Sequence, residues 1–261
     1  MRTDATETGA EGHPYRLTLA ICAITCALAP AYALRWHVGA YPTTLLETAV
    51  ILSVVVFVVE HLRDRRPLVW RNSLLVPTLL FILAGAISVL AAPNRVAALG
   101  LYRAYLLEPV AFGVVLLNVL RTPARALLVV AGLFVGATVA GLANSAVVAA
   151  GLVNHTYEVT QSPPVVIYIT ANAVALFVVP LVAVAGALAL HGQRIERAAG
   201  AGFFAIGTVV TFLSFSRGGY LAFAVLVLGL ALSHRRRRCS RHFSAPSRKL
   251  DGCISAASAK S

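Results

Sequence analysis

Apolar residues fall along this chain in blocks rather than in alternation. Eight such blocks, nearly free of charge, cover about 17–34, 43–59, 74–92, 104–120, 126–149, 165–190, 198–215 and 220–233, with short polar breaks between them. A bilayer core of about 30 Å calls for roughly 20 apolar residues in a helix, and most of these blocks approach that length. An amphipathic soluble helix would return to polar residues every third or fourth position, and a membrane barrel would show short alternating strands. Neither pattern occurs. The spacing predicts an all-α, polytopic transmembrane helical bundle of about eight spans over residues 17–233. A polar tail (1–16) precedes it, and a basic tail (234–261), expected to be disordered, follows it.

Composition agrees with the pattern: 59% of the residues are hydrophobic and only 12% are charged, with a mean hydropathy of +0.81. The net charge of +12 would suggest a nucleic-acid partner in a soluble protein. Its distribution argues otherwise. With the N-terminus placed inside, 18 of the 22 basic residues fall in inward loops and tails, among them Arg63, Arg65, Arg66, Arg121, Arg125, Arg194, Arg197 and the run Arg235–Arg238. That is the bias that orients membrane helices, so both termini are predicted to be cytoplasmic and no nucleic acid is implied. Ala31-Tyr32-Ala33 fits a signal-peptidase site, yet the acidic start with Asp4, Glu7 and Glu11 favours retention of the first block. No internal repeat is evident, so an inverted-repeat transporter is not indicated. Cys22 and Cys26, at helical spacing in an apolar block, read as core packing rather than a metal or redox pair; Cys239 and Cys253 lie in the tail.

Four basic residues fall on the other side: Arg35, Arg95, Arg103 and Arg217. Interfacial anchoring explains Arg35, beside Trp36 and His37. Arg95 and Arg103 flank the short apolar stretch 96–101, which is expected to lie along the membrane surface, and anchoring and anion binding weigh equally there. Arg217 differs in its company, Ser216-Arg217-Gly218-Gly219, a polar break between two apolar blocks. Two glycines leave backbone amides open to close approach. A helix starting at Gly218 or Gly219 would aim its free amides and positive dipole end at the same point. Ser216 would cap that helix or bind an oxyanion itself, and Arg217 would add a planar fork of donors suited to phosphate. An ordinary interfacial turn would look much the same.

Inside the blocks, Glu108 precedes Pro109, whose ring leaves the Tyr105 carbonyl without its helical donor and bends the helix. An acid at that depth either serves a substrate or pairs with a neighbour such as Arg103. Asn118, Asn144 and Asn172 read as hydrogen-bonding glue between helices.

Ser216-Arg217-Gly218-Gly219-Tyr220-Leu-Ala, entering a membrane helix after a polar break, resembles the signature of the O-antigen ligase and polymerase superfamily. Tyr102-Arg103-Ala-Tyr105-Leu-Leu-Glu108-Pro109 and Thr170-Ala-Asn172-Ala-Val-Ala resemble two further stretches of the same family, and the likeness covers roughly residues 40–233. The resemblance implies a metal-independent glycosyltransferase that needs no cofactor and acts at the periplasmic or outer face of a bacterial inner membrane. Its donor would be a glycan linked through pyrophosphate to undecaprenol, and its acceptor a lipid A core, another glycan or a protein hydroxyl. Arg217 matches the motif arginine, expected to hold the pyrophosphate with Arg103 and Arg95 as weaker candidates; Asn172 lies in a matching motif. Negative charge grows on the leaving phosphate oxygen, so preplaced cations act most strongly in the transition state.

The sequence also departs from the family, whose members continue into a large periplasmic loop with an acceptor-activating histidine and then further helices. Here the apolar blocks stop at Ser233, which suggests a truncated or frameshifted product, or a naturally short homologue. His155, in an outward polar loop near Glu158, is the available substitute base, although a solvated loop histidine is commoner. Two rival readings are a binding remnant without catalysis and a carrier for an anionic lipid or solute.

Overall fold

The computed structural model describes residues 15–39, 41–65, 67–70, 72–156, 165–168 and 170–243. The N-terminal residues 1–14, Glu158 and the tail beyond Phe243 lie outside the described residues. The chain divides into two compact units, Met1–Ala140 and Gly141–Ser261. Apart from one hairpin the described elements are helical, and five helices are long and apolar enough to cross a membrane: Leu45–Asp64, Arg95–Val119, Pro123–Val153, Ala171–His191 and Arg194–Leu213. Arg16–Ala27, Leu75–Ala91 and Arg217–Ser233 are shorter apolar helices. This is the architecture of a multi-pass membrane protein, with helices that satisfy their own backbones and turn apolar side chains outward.

In the first unit, α1 (Arg16–Ala27) has only 12 residues, about 18 Å of helix, so it stops well short of the expected end at residue 34. Pro30 then starts a 3-10 turn, Ala29–Ala33. A hairpin of β1 (Arg35–Val38) and β2 (Tyr41–Thr44) follows, turning at Gly39 with φ 63. Arg35 and Trp36 therefore sit on a strand. Thr44 caps α2 (Leu45–Asp64) by accepting from the Glu47 amide at 3.1 Å.

The α1–α2 seam is held by polar side chains in place of a hydrophobic drive. Thr25 and Ser53 hydrogen-bond at 2.9 Å, and each also donates to the Ala49 carbonyl. Glu60 of α2 caps α1, accepting from the amides of Leu17 and Thr18 at 3.3 and 3.0 Å and from the Thr18 hydroxyl. Cys22 and Cys26 are buried and unbonded beside Phe57, Val115, Val119 and Val129, which is packing. In α6 (Pro123–Val153), a Cβ at Gly132 or Gly136 would collide with the Ala23 or Ala27 carbonyl, so the pair lets α1 approach closely.

The stretch 96–101 does not lie apart as an interfacial segment. It belongs to α4 (Arg95–Tyr102), which packs on α3 (Leu75–Ala91); Tyr102 donates to the Ile82 carbonyl at 3.1 Å. α4 runs through one wide π turn, Arg103–Leu107, into α5 (Glu108–Val119). Pro109 explains the widening, because it has no N–H for the Tyr105 carbonyl and its ring crowds that oxygen; an i→i−5 turn relieves both. Asn118 acts as the expected glue, accepting from the Val69 amide at 2.9 Å.

In the second unit, Asn144 accepts from the Val166 amide at 3.4 Å. α7 (Ala171–His191) starts six residues after the expected start at Val165, capped by Thr170, which accepts from the Ala173 amide. α8 (Arg194–Leu213) returns beside α7 behind a Gln193–Glu196 capping box. α9 (Arg217–Phe243) runs parallel to α7: Gly219 faces Ala175 near one end, and Gly186 faces Leu230 near the other. α9 continues ten residues past Ser233, so the first part of the basic tail is helical.

Candidate functional site

The α8–α9 turn is three residues long and tightly bonded. Ser214 donates to the Thr211 carbonyl at 2.7 Å and accepts from the Ser216 amide at 3.3 Å. Phe215 between them has φ 49, a left-handed geometry that costs a bulky residue on the order of 1 kcal/mol. Tyr220 reaches back and donates to the Phe212 carbonyl at 2.7 Å, stacking on the Phe212 ring and satisfying a carbonyl at the end of α8. The turn thus aims α9 with its first residue at Arg217, slightly before the start expected from the glycines.

Ser216 is the N-cap of α9. Its hydroxyl oxygen accepts from the Gly219 amide at 3.0 Å and donates its hydrogen to the Asn172 side-chain oxygen at 2.7 Å. Both functions of this hydroxyl are therefore spent, and Ser216 is 2% exposed. It serves as cap and strut rather than as a free oxyanion ligand. Asn172 sits in the first turn of α7, so one hydrogen bond ties together the starts of two parallel helices. Its own amide nitrogen stays unbonded among the described residues, with the orientation of the group set by Ser216.

The two glycines divide the work. Gly219 is a packing residue, since a Cβ there would lie 2.7 Å from the Ala175 Cβ and 3.2 Å from Ser216. Gly218 faces open space, and a methyl added there would meet nothing within 4 Å. Neither its amide nor that of Arg217 finds a partner among the described residues. The Arg217 side chain is exposed and makes no ion pair or hydrogen bond among them. Beside this cluster is a cavity of about 390 Å³, lined by Asn172, Leu176, Val179, Pro180, Gly218 and Ala222 among others. It is apolar along α7 and polar only at the end that holds Asn172 and Ser216.

The first unit holds the other candidates. Arg103, on the π turn, meets Glu47 at 3.0 Å through Nη2 and Glu108 at 3.2 Å through Nε. The second contact is close in charge but not aligned as a hydrogen bond. Side-chain exposure is 7% for Glu47, 17% for Glu108 and 32% for Arg103, so this triad is a largely enclosed structural pairing. Arg95 is exposed in the first turn of α4, which Asn94 caps at 3.1 Å. His155, in the second unit, is exposed just past the end of α6 with φ 54 and has no side-chain partner among the described residues. Glu47 was not singled out by sequence, where it reads as an ordinary first-turn acid. Among the described residues no group of three His, Cys, Asp or Glu side chains is arranged to hold a metal ion.

No known protein family, curated protein or solved structure matches this chain.

Proposed function

We propose that this protein handles a glycan carried on undecaprenyl pyrophosphate and transfers it to a lipid, glycan or protein acceptor, as O-antigen ligases and polymerases do. One observation carries the reading: the Ser216–Asn172 bond joins two helix N-termini beside an unpaired arginine, over an apolar cavity. Helix N-termini present amides and partial positive charge to phosphate, and two of them with a guanidinium suit a diphosphate. Negative charge appears on the pyrophosphate as it leaves, so donors fixed by the Ser216 strut stabilise that state without reorganising. The cavity beyond them offers apolar surface for the polyprenyl chain.

In this reading eight helices cross the membrane of a bacterial cell. The shorter helices complete the set, α1 being prolonged by the 3-10 turn at Ala29–Ala33. The charge bias supports cytoplasmic termini and an outward-facing Arg217. Protein reconstituted in nanodiscs with undecaprenyl-pyrophosphate glycan should bind it and transfer it to an added acceptor, and Arg217→Ala should weaken both. Binding without transfer would reduce the role to recognition alone. Binding that ignores Arg217→Ala would remove the site.

A further inference from the structure

At the other end of the second unit from Ser216, the chain gathers cations with no role in the donor reading. α7 and α9 keep one register throughout, shown by Ser216 with Asn172, Gly219 with Ala175 and Leu230 with Gly186. Continued along the helices, that register sets the backbone of Arg235–Arg238 level with His191–Arg194, where α8 begins with Arg194 and Arg197, both exposed. Residues 234–243 carry five arginines and no acid. Glu196, at the same end, spends one oxygen on the Gln193 amide at 2.8 Å.

We propose that this end is a collar that binds the phosphodiester head groups of anionic phospholipids, and so fixes how deep α9 sits in the bilayer. Depth is the first reason. Arg217–Ser233 gives about 25 Å of apolar helix, close to a hydrocarbon core, and the next turn falls in the head-group layer. Angular spread is the second. Four consecutive residues at 100° steps surround the helix axis, leaving no uncharged face for a protein groove or a single nucleic-acid strand. Lipid head groups surround a helix from every side. Neighbouring like charges also oppose one another on a helix, so a continuous helix through Arg235–Arg238 fits a site where anions supply the counter-charge. Each basic residue near such a surface strengthens binding roughly fivefold.

The test uses the full chain in neutral detergent, titrated with phosphatidylglycerol or phosphatidylcholine, with bound lipid counted by native mass spectrometry. Phosphatidylglycerol is expected to bind at least about tenfold tighter. R235Q/R236Q/R237Q/R238Q should abolish that preference, while the corresponding four-lysine variant should keep it, because a head-group surface reads charge. R194Q/R197Q should lose part of it, and Arg217→Ala none. Equal binding of the two lipids by the unaltered protein overturns the proposal. So does a lysine variant as defective as the glutamine one. Displacement of the lipid by inorganic phosphate would assign the cations to free anions instead. Tighter binding of a short RNA that phosphatidylglycerol vesicles fail to displace would assign them to nucleic acid.

Discussion

Ser216 donates its hydroxyl hydrogen to Asn172 at 2.7 Å while accepting from the Gly219 amide, so one buried oxygen both caps α9 and ties it to α7. Losing the hydroxyl removes the cap and leaves Asn172 without its anchor. Ser216→Ala is expected to lower stability by about 1–2 kcal/mol. Ser216→Ala with Asn172→Ala should cost less than the two single changes added, by roughly 0.5–1.5 kcal/mol, because the shared bond is lost only once. Reversible unfolding in detergent would measure the cycle. Strict additivity would mean that the two side chains act independently.

Gly218 and Gly219 are adjacent, yet substitution should affect them oppositely. Gly219→Ala forces a methyl against Ala175 and should push α9 off α7, destabilising by about 1–3 kcal/mol as overpacking does. Gly218→Ala meets open space and should leave stability unchanged or raise it by up to about 1 kcal/mol through helix propensity. It also places a methyl beside the open amide at the cavity mouth, so binding of the pyrophosphate donor should fall. A stable Gly218→Ala protein with undiminished donor affinity would show that the open amide has no ligand.

Arg217 is exposed and unpaired among the described residues, so its removal should be silent in unfolding measurements, within about 0.5 kcal/mol. A loss of donor binding in Arg217→Ala would then reflect the ligand and not the fold. Arg217→Lys keeps the charge without the planar fork and should recover only part of the affinity. Isothermal titration with undecaprenyl pyrophosphate against undecaprenyl monophosphate separates the two contributions. Equal weakening toward both lipids would point to general charge attraction.

The helices were legible because an apolar block in a bilayer has few alternatives to a helix. Every one of the eight apolar blocks contains one. Their ends were not, since those depend on single residues: Pro30 halts the first block early, and Thr170 delays α7 to Ala171. The Ser216–Asn172 bond was also out of reach, because its partners are 44 residues apart and meet only once α7 and α9 lie parallel. The glycine pair was legible as a place for close approach. Which glycine serves packing and which stays open depends on the position of Ala175. Arg103 shows the same limit. Its pairing with Glu108 follows from nearness in sequence, whereas Glu47 arrives from another helix.

That triad supports the last prediction. Arg103 stands between two carboxylates, and Glu47 is almost wholly enclosed. Removing the guanidinium leaves two acids close together without their cation, so Arg103→Ala should cost roughly 3 kcal/mol, the lower end for a broken buried pair because a third of Arg103 is open. Arg103→Met combined with Glu47→Gln and Glu108→Gln removes the charges together and should recover most of that loss, since neutral side chains of similar size need no counter-ion. Unfolding of the single and triple variants in detergent makes the comparison. A triple variant as unstable as Arg103→Ala would mean that the arginine is needed for its packing against the π turn, and that the ion pairing contributes little.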